Sequence, residues 1–130
     1  VNYTEFLQSK ITVADRSGFE LDPASLPADN KLHQTAAVRW AAAMGRALIA
    51  MSFGLGKTRI QCELAKAIHE RTGQPVLVVC PLGVKAQFSE EDGPGLGTPW
   101  TYVRNSAEAM REIERGNFYL LTNYERVRDG

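Results

Sequence analysis

Cysteine and histidine are scarce in these 130 residues, two of each, and their positions exclude the functions that depend on them. Cys62 and Cys80 have neither C-x-x-C nor metal-ligand spacing, and His33 and His69 are too scattered to complete a site. A disulfide framework and a structural zinc both lack support, and the thiols are predicted to be buried in a reducing compartment. Long apolar runs are missing as well. The longest, residues 40–53, is broken by Gly45, Arg46 and Ser52, and no basic leader with an apolar core opens the chain. The expectation is a cytoplasmic protein without a secretion signal or a membrane span. Internal repeats and low-complexity tracts are absent, and so is net charge, with fifteen basic against fifteen acidic side chains.

That balance conceals a gradient. Residues 1–30 carry two basic and five acidic side chains, residues 31–90 eight and three, and residues 91–130 five and seven. An excess of five positive charges in the middle attracts nucleotide and permits nucleic acid, although scattered solvated charges account for the same count. Length and an apolar content of 44% allow one domain with a real core.

The stretch around which the rest is organised is residues 50–58, A-M-S-F-G-L-G-K-T. The apolar run 47–51 enters it with the composition of a buried parallel strand, and residues 57–72 leave it with helical periodicity. A loop closing onto a helix N-terminus points free backbone N–H groups inward and adds the positive end of the helix dipole, which suits a polyphosphate. Ser52, Phe53, Gly54, Leu55 and Gly56 are expected to wrap the phosphates, the two glycines leaving no Cβ in the way. Lys57 is expected to reach the β- and γ-phosphates, Thr58 to hold Mg2+ through its hydroxyl, and Arg59 to lie with them in an ATP site. Met51 stands where the strict pattern G-x-x-x-x-G-K-[ST] has its first glycine. Taken alone, G-x-G-K-T also describes an ordinary glycine turn with an exposed lysine.

Residues 1–30 read as a lead-in, with a short helix at 3–10 and then extended chain. Residues 31–130 read as the domain. Asp29 and Asn30 are predicted caps of a helix with Ala37, Trp40, Ala41 and Met44 on one face, Gln34, Val38 and Arg39 on the other, and Gly45 as its stop. The helix from Lys57 packs Ile60, Leu64 and Ile68 on a sheet and ends at Thr72 and Gly73. Residues 75–80 form a strand covered on both faces, 84–91 a helix, 92–99 a loop and 100–103 a strand. Asn105 and Glu108 cap a helix that runs to Arg115 and stops at Gly116; residues 118–122 form the last strand, and a helix follows from Tyr124. This order predicts an α/β domain with a mostly parallel sheet between helices.

Four stretches in this order resemble the first motor domain of superfamily-two helicases and translocases, nearest the Snf-like ATPases. Residues 32–34, L-H-Q, look like the adenine-reading glutamine motif, with Leu32 where that family has proline. Residues 50–58 match the family's phosphate loop, a version that also lacks the first glycine. Residues 76–82, V-L-V-V-C-P-L, with Gln87, Phe88 and Glu91, resemble motif Ia. Residues 121–125, L-T-N-Y-E, resemble the threonine-tyrosine-glutamate stretch.

The resemblance implies a partial RecA-like, three-layer P-loop domain that hydrolyses ATP with Mg2+ to move on nucleic acid, DNA before RNA. It implies that Gln34 selects adenine, with Phe19 as a candidate base-stacking aromatic. It also implies that Pro81, Leu82, Gly83, Lys85, Thr122, Asn123 and Tyr124 face a nucleic-acid strand. The Asp-Glu pair that such ATPases carry at a strand end is absent, as is a second motor domain, and Val1 is not a natural start residue. The expectation is therefore an N-terminal piece of a larger motor, inactive by itself. A small-molecule kinase, or a binding module without turnover, are the competing readings.

Overall fold

A computed structural model describes residues 2–10, 15–51 and 56–129. Helix α1 (Tyr3–Lys10) precedes a lead-in that contains a 3-10 turn at Pro23–Ser25, opened by Asp22 accepting from the Ala24 N–H. Helices α2 (Leu32–Met44) and α3 (Lys57–Thr72) follow, then strand β1 (Val76–Cys80). A continuous helical passage comes next, with a 3-10 turn at Leu82–Val84, a π-helix at Gln87–Asp92 and α4 (Gly93–Leu96). Strand β2 (Trp100–Tyr102), α5 (Ser106–Glu114), β3 (Tyr119–Asn123) and α6 (Tyr124–Asp129) complete the described chain.

The sheet is parallel throughout, in the order β1-β3-β2, with Val76 opposite Tyr119, Cys80 opposite Asn123 and Trp100 also opposite Tyr119. A parallel sheet needs crossover connections, and the helical passage before β2 and α5 before β3 provide them. One face of the sheet meets α3 in a core of Cys62, Ala65, Cys80, Phe88, Trp100, Tyr119 and Leu121. Burial pushes the Cys80 thiol and the Tyr119 phenol above their ordinary pKa values, with Glu70 adding to the effect on Tyr119, so both stay protonated near neutrality. The protein is thus α/β, with a small parallel sheet flanked by helices. No helix among the described residues is long and apolar enough to cross a membrane.

Several expectations need correction. Residues 47–51 form no strand: they pair with neither edge of the sheet, and Leu48 is 86% exposed. Apolar composition made them look like a buried strand, but a strand in a parallel sheet also needs a neighbour for its N–H and C=O groups. Residues 92–96 are helical, although glycine and proline there suggested a loop; the Thr98 N–H and hydroxyl both donate to the Gly93 carbonyl, at 2.9 and 3.2 Å, and hold the turn closed. Strand β1 is not covered on both faces, since Leu77 is 53% exposed. The stripe that α2 buries is Gln34, Val38, Ala41 and Ala42, and Trp40 lies outward. Small alanines let α2 approach α3 closely, and that contact outweighs the larger apolar area of Trp40.

The lead-in closes the far end of α2. Backbone N–H groups of Ser17, Gly18 and Phe19 donate to the carbonyls of Met44, Ala43 and Ala42 at 3.3, 3.1 and 2.8 Å, satisfying acceptors that a helix end leaves open. Gly18 is required there, because a Cβ would collide with the Ala42 carbonyl oxygen.

Candidate functional site

Gly56 is the N-cap of α3 and holds a left-handed backbone, φ 75°, which L side chains rarely adopt. Lys57 and Thr58 form the first turn of this sixteen-residue helix, where unpaired N–H groups and the dipole favour an anion. Ser52, Phe53, Gly54 and Leu55 lie outside the described residues. Lys57 is exposed, and among the described residues no carboxylate pairs with it.

Gln34 is packed directly against this glycine. It is only 7% exposed, and a Cβ on Gly56 would collide with its Nε2. Its Oε1 accepts from the Lys31 N–H at 3.0 Å, so the side chain closes the start of α2 while its amide nitrogen faces Gly56. Gln34 and Val38 share the buried face as grouped, and Arg39, expected beside them, is exposed. Lys31 is the N-cap of α2, and neither Asp29 nor Asn30 caps it.

Those two residues serve Arg59. Its Nη2 donates to Asp29 at 2.8 Å, and its Nε donates to Asn30 Oδ1 at 2.7 Å and to Glu63 Oε1 at 3.3 Å, while Asn30 Nδ2 donates to the other Glu63 oxygen at 2.8 Å. Arg59, expected in the ATP site, binds the lead-in to α3 through Nε and Nη2. Sequence reasoning missed this cluster. The available signal was Glu63, a carboxylate four residues after an arginine and on the inner side of the helix.

The Arg59 hydrogen bond, then its charge, holds the Asp29 carboxyl below its ordinary value of 3.8. A lowered folded-state pKa stabilises the fold above the unfolded value, and the benefit is lost as pH falls through the folded one. Asp29→Asn is therefore expected to melt below the wild type at pH 7, with the gap closing as pH drops past 3.8. Because Asp29 is exposed, the gap should also shrink in molar salt. Thermal melts across pH and salt measure both, and a gap that widens in acid contradicts the assignment.

Phe19 lies elsewhere. Its N–H bonds Ala42 and its ring carries the Arg71 guanidinium at 5.5 Å, whereas Ala42 is about 12 Å along α2 from Gln34 and Arg71 roughly 21 Å along α3 from Lys57. It cannot stack on a base that Gln34 reads, and that expectation is corrected.

At the carboxyl ends of the strands, the opposition of Cys80 and Asn123 brings Pro81 and Tyr124 out side by side. Pro81, Leu82, Gly83 and Tyr124 are exposed, and Lys85 Nζ sits 4.4 Å from the centre of the Tyr102 ring. Thr122 and Asn123 are buried, and Asn123 Oδ1 accepts the Arg126 N–H at 3.0 Å. Their expected exposure to nucleic acid is corrected: the last two residues of β3 are covered, and one of them caps α6.

Thr58 Oγ1 donates to Gln87 Oε1 at 3.2 Å, which places α3's first turn at the same end of the sheet as Pro81. No group of three His, Cys, Asp or Glu gathers among the described residues. One hydroxyl fits Mg2+, which keeps most of its waters and is held largely by substrate phosphates.

No protein-family model, curated protein or solved structure matches the chain.

A cleft of about 830 Å3 between the lead-in, α3 and α4 is within the usual size for a small-molecule site. Asp29, Glu63, Glu70 and Glu91 outnumber Arg59 and Lys66 on its walls, which disfavours an anionic ligand there.

Proposed function

We propose that the chain is the ATP-binding portion of a RecA-like motor domain in a nucleic-acid-dependent ATPase of the helicase or translocase kind. The observation that carries this reading is a left-handed glycine capping a long helix whose first two residues are lysine and threonine. In this reading residues 52–57 wrap the phosphates, Lys57 neutralises charge on the β- and γ-phosphates, and Thr58 offers a lone pair to Mg2+. A Mg2+ ion held at Thr58 would supply charge compensation to the phosphates. Gln34, wedged against Gly56, reads the adenine edge and reports its presence to the loop. This reading requires hydrolytic carboxylates and the arginines of a second motor domain in addition to these residues, and the exposed residues Pro81, Leu82, Gly83 and Tyr124 meet the nucleic-acid strand.

ATP turnover measured with and without duplex DNA tests the reading. The 130-residue chain is expected to bind Mg-ATP without hydrolysing it, and the parent protein to hydrolyse ATP faster on DNA. Turnover by the parent that ignores DNA, or that rises with a small phosphoryl acceptor, overturns it.

A further inference from the structure

We infer that Gln87 is a positioning residue for the Thr58 hydroxyl, turning its lone pairs toward the cation that accompanies a bound nucleoside triphosphate. The inference rests on the phosphate-loop reading above and deepens it.

A threonine hydroxyl has one proton and two lone pairs, and its rotor is set by whichever acceptor takes the proton. Here the acceptor is Gln87 Oε1, at 3.2 Å. With the proton held there, both lone pairs face away from Gln87 and are open to a metal ion. Without that acceptor the rotor is free, and the proton would compete for the direction that a cation needs.

Gln87 is built to stay in place although its side chain is exposed. The next residue, Phe88, is 1% exposed and sits edge-on to Trp100 with ring centres 5.5 Å apart. Two residues on, Ser89 Oγ donates to the Lys85 carbonyl at 3.0 Å. Gln87 also opens the π-helical turn, a conformation of well under about 1% of residues that recurs at functional sites. The widened turn sends Phe88 into the core while Gln87 meets the first turn of α3. A glutamine on an ordinary exposed helix has no such anchor, and its entropy cost on binding one hydroxyl would cancel most of the gain.

A simple staple between α3 and the π-helix would make the same contact, so the test must read the cation. A fluorescent ATP analogue is titrated into the 130-residue chain in Mg2+ and again in EDTA. Gln87→Leu keeps the size and removes the acceptor; Gln87→Glu keeps an acceptor oxygen. The leucine variant is expected to lose about 3- to 10-fold in affinity in Mg2+, the weight of one hydrogen bond, and nothing in EDTA. The glutamate variant is expected to bind as the wild type does in Mg2+. In a Thr58→Val background, Gln87→Leu should have no further effect, because the two residues act through one bond.

Equal losses by the leucine variant in both buffers, or none in either, overturn the inference, as does a wild type indifferent to Mg2+. Lys57→Ala, run alongside, separates the two levels. If it abolishes binding while Gln87→Leu leaves Mg2+ dependence intact, only the role of Gln87 falls. If it binds normally, or the wild type does not bind, the phosphate-loop reading falls as well.

Discussion

Lys57→Ala is expected to weaken ATP binding by about 100-fold or more while leaving the melting temperature unchanged or slightly raised. The two halves of that result come from one fact of placement. Lys57 is the first residue of α3 and is exposed, so its ammonium sits at the positive end of the helix dipole, where a cation is disfavoured by roughly 0.3–1 kcal/mol. No carboxylate among the described residues compensates it. In the folded protein without ligand, the charge is a small burden. A triphosphate reverses the sign, since the lysine, the free N–H groups and the dipole then act on the same anion. Alanine removes the burden and the benefit together. Calorimetric titration with ATP gives the first number and a thermal melt the second. Lys57→Arg should fall between, because a planar guanidinium replaces a compact point charge. Unchanged affinity in the alanine variant would remove the case for a phosphate site, and a melting point several degrees lower would show that Lys57 serves the fold.

The elements that could be read from the chain are those specified by local signals. Helix α3 is legible because its apolar spacing, its opening glycine and its closing Gly73 agree, and α5 because Asn105 accepts the Glu108 N–H as a cap should. The strands β1, β2 and β3 were legible within a residue or two as short runs rich in β-branched or aromatic residues. What failed depended on partners distant in sequence. Residues 47–51 have the composition of a strand and no neighbour to pair with. Gln34 is polar, yet a helix that starts with an unfilled N-cap can use the carboxamide itself, and this draws the residue inward. Arg59 reads as a cation near phosphates until Asp29 and Asn30, about thirty positions earlier, take its donors. The π-helix has no sequence signature of its own, and the contact of Gln87 with Thr58 crosses 29 residues. The start of α3 was therefore legible along the chain at Gly56, Lys57 and Thr58, whereas the partners that Gln87, Arg59 and Phe19 find across the fold were not.

Phe88→Ala is expected to cost the fold about 3–5 kcal/mol, a large share of the roughly 5–15 kcal/mol that holds a domain of this kind together. Its ring is almost fully buried and packs edge-on to Trp100, which packs in turn on Tyr119 at 5.4 Å, so it links the π-helix to β2 and β3 in one aromatic chain. The melting point should fall by roughly 10–20 °C. Where in the range the loss falls depends on the void. Trp100 Nε1 has no hydrogen-bond partner among the described residues, and a water entering the space left by the ring would satisfy it and bring the cost toward the lower figure. Phe88→Leu keeps most of the volume and should lose less than half as much. Below its melting point the alanine variant should also bind nucleotide with a weaker response to Mg2+, since Gln87 loses the anchor that holds it over Thr58, while the part of the affinity that depends on Lys57 persists. Denaturant unfolding followed by Trp fluorescence measures the first effect, and nucleotide titration in the cold the second. A loss under about 1 kcal/mol would mean that the π-helix is held by contacts other than this ring.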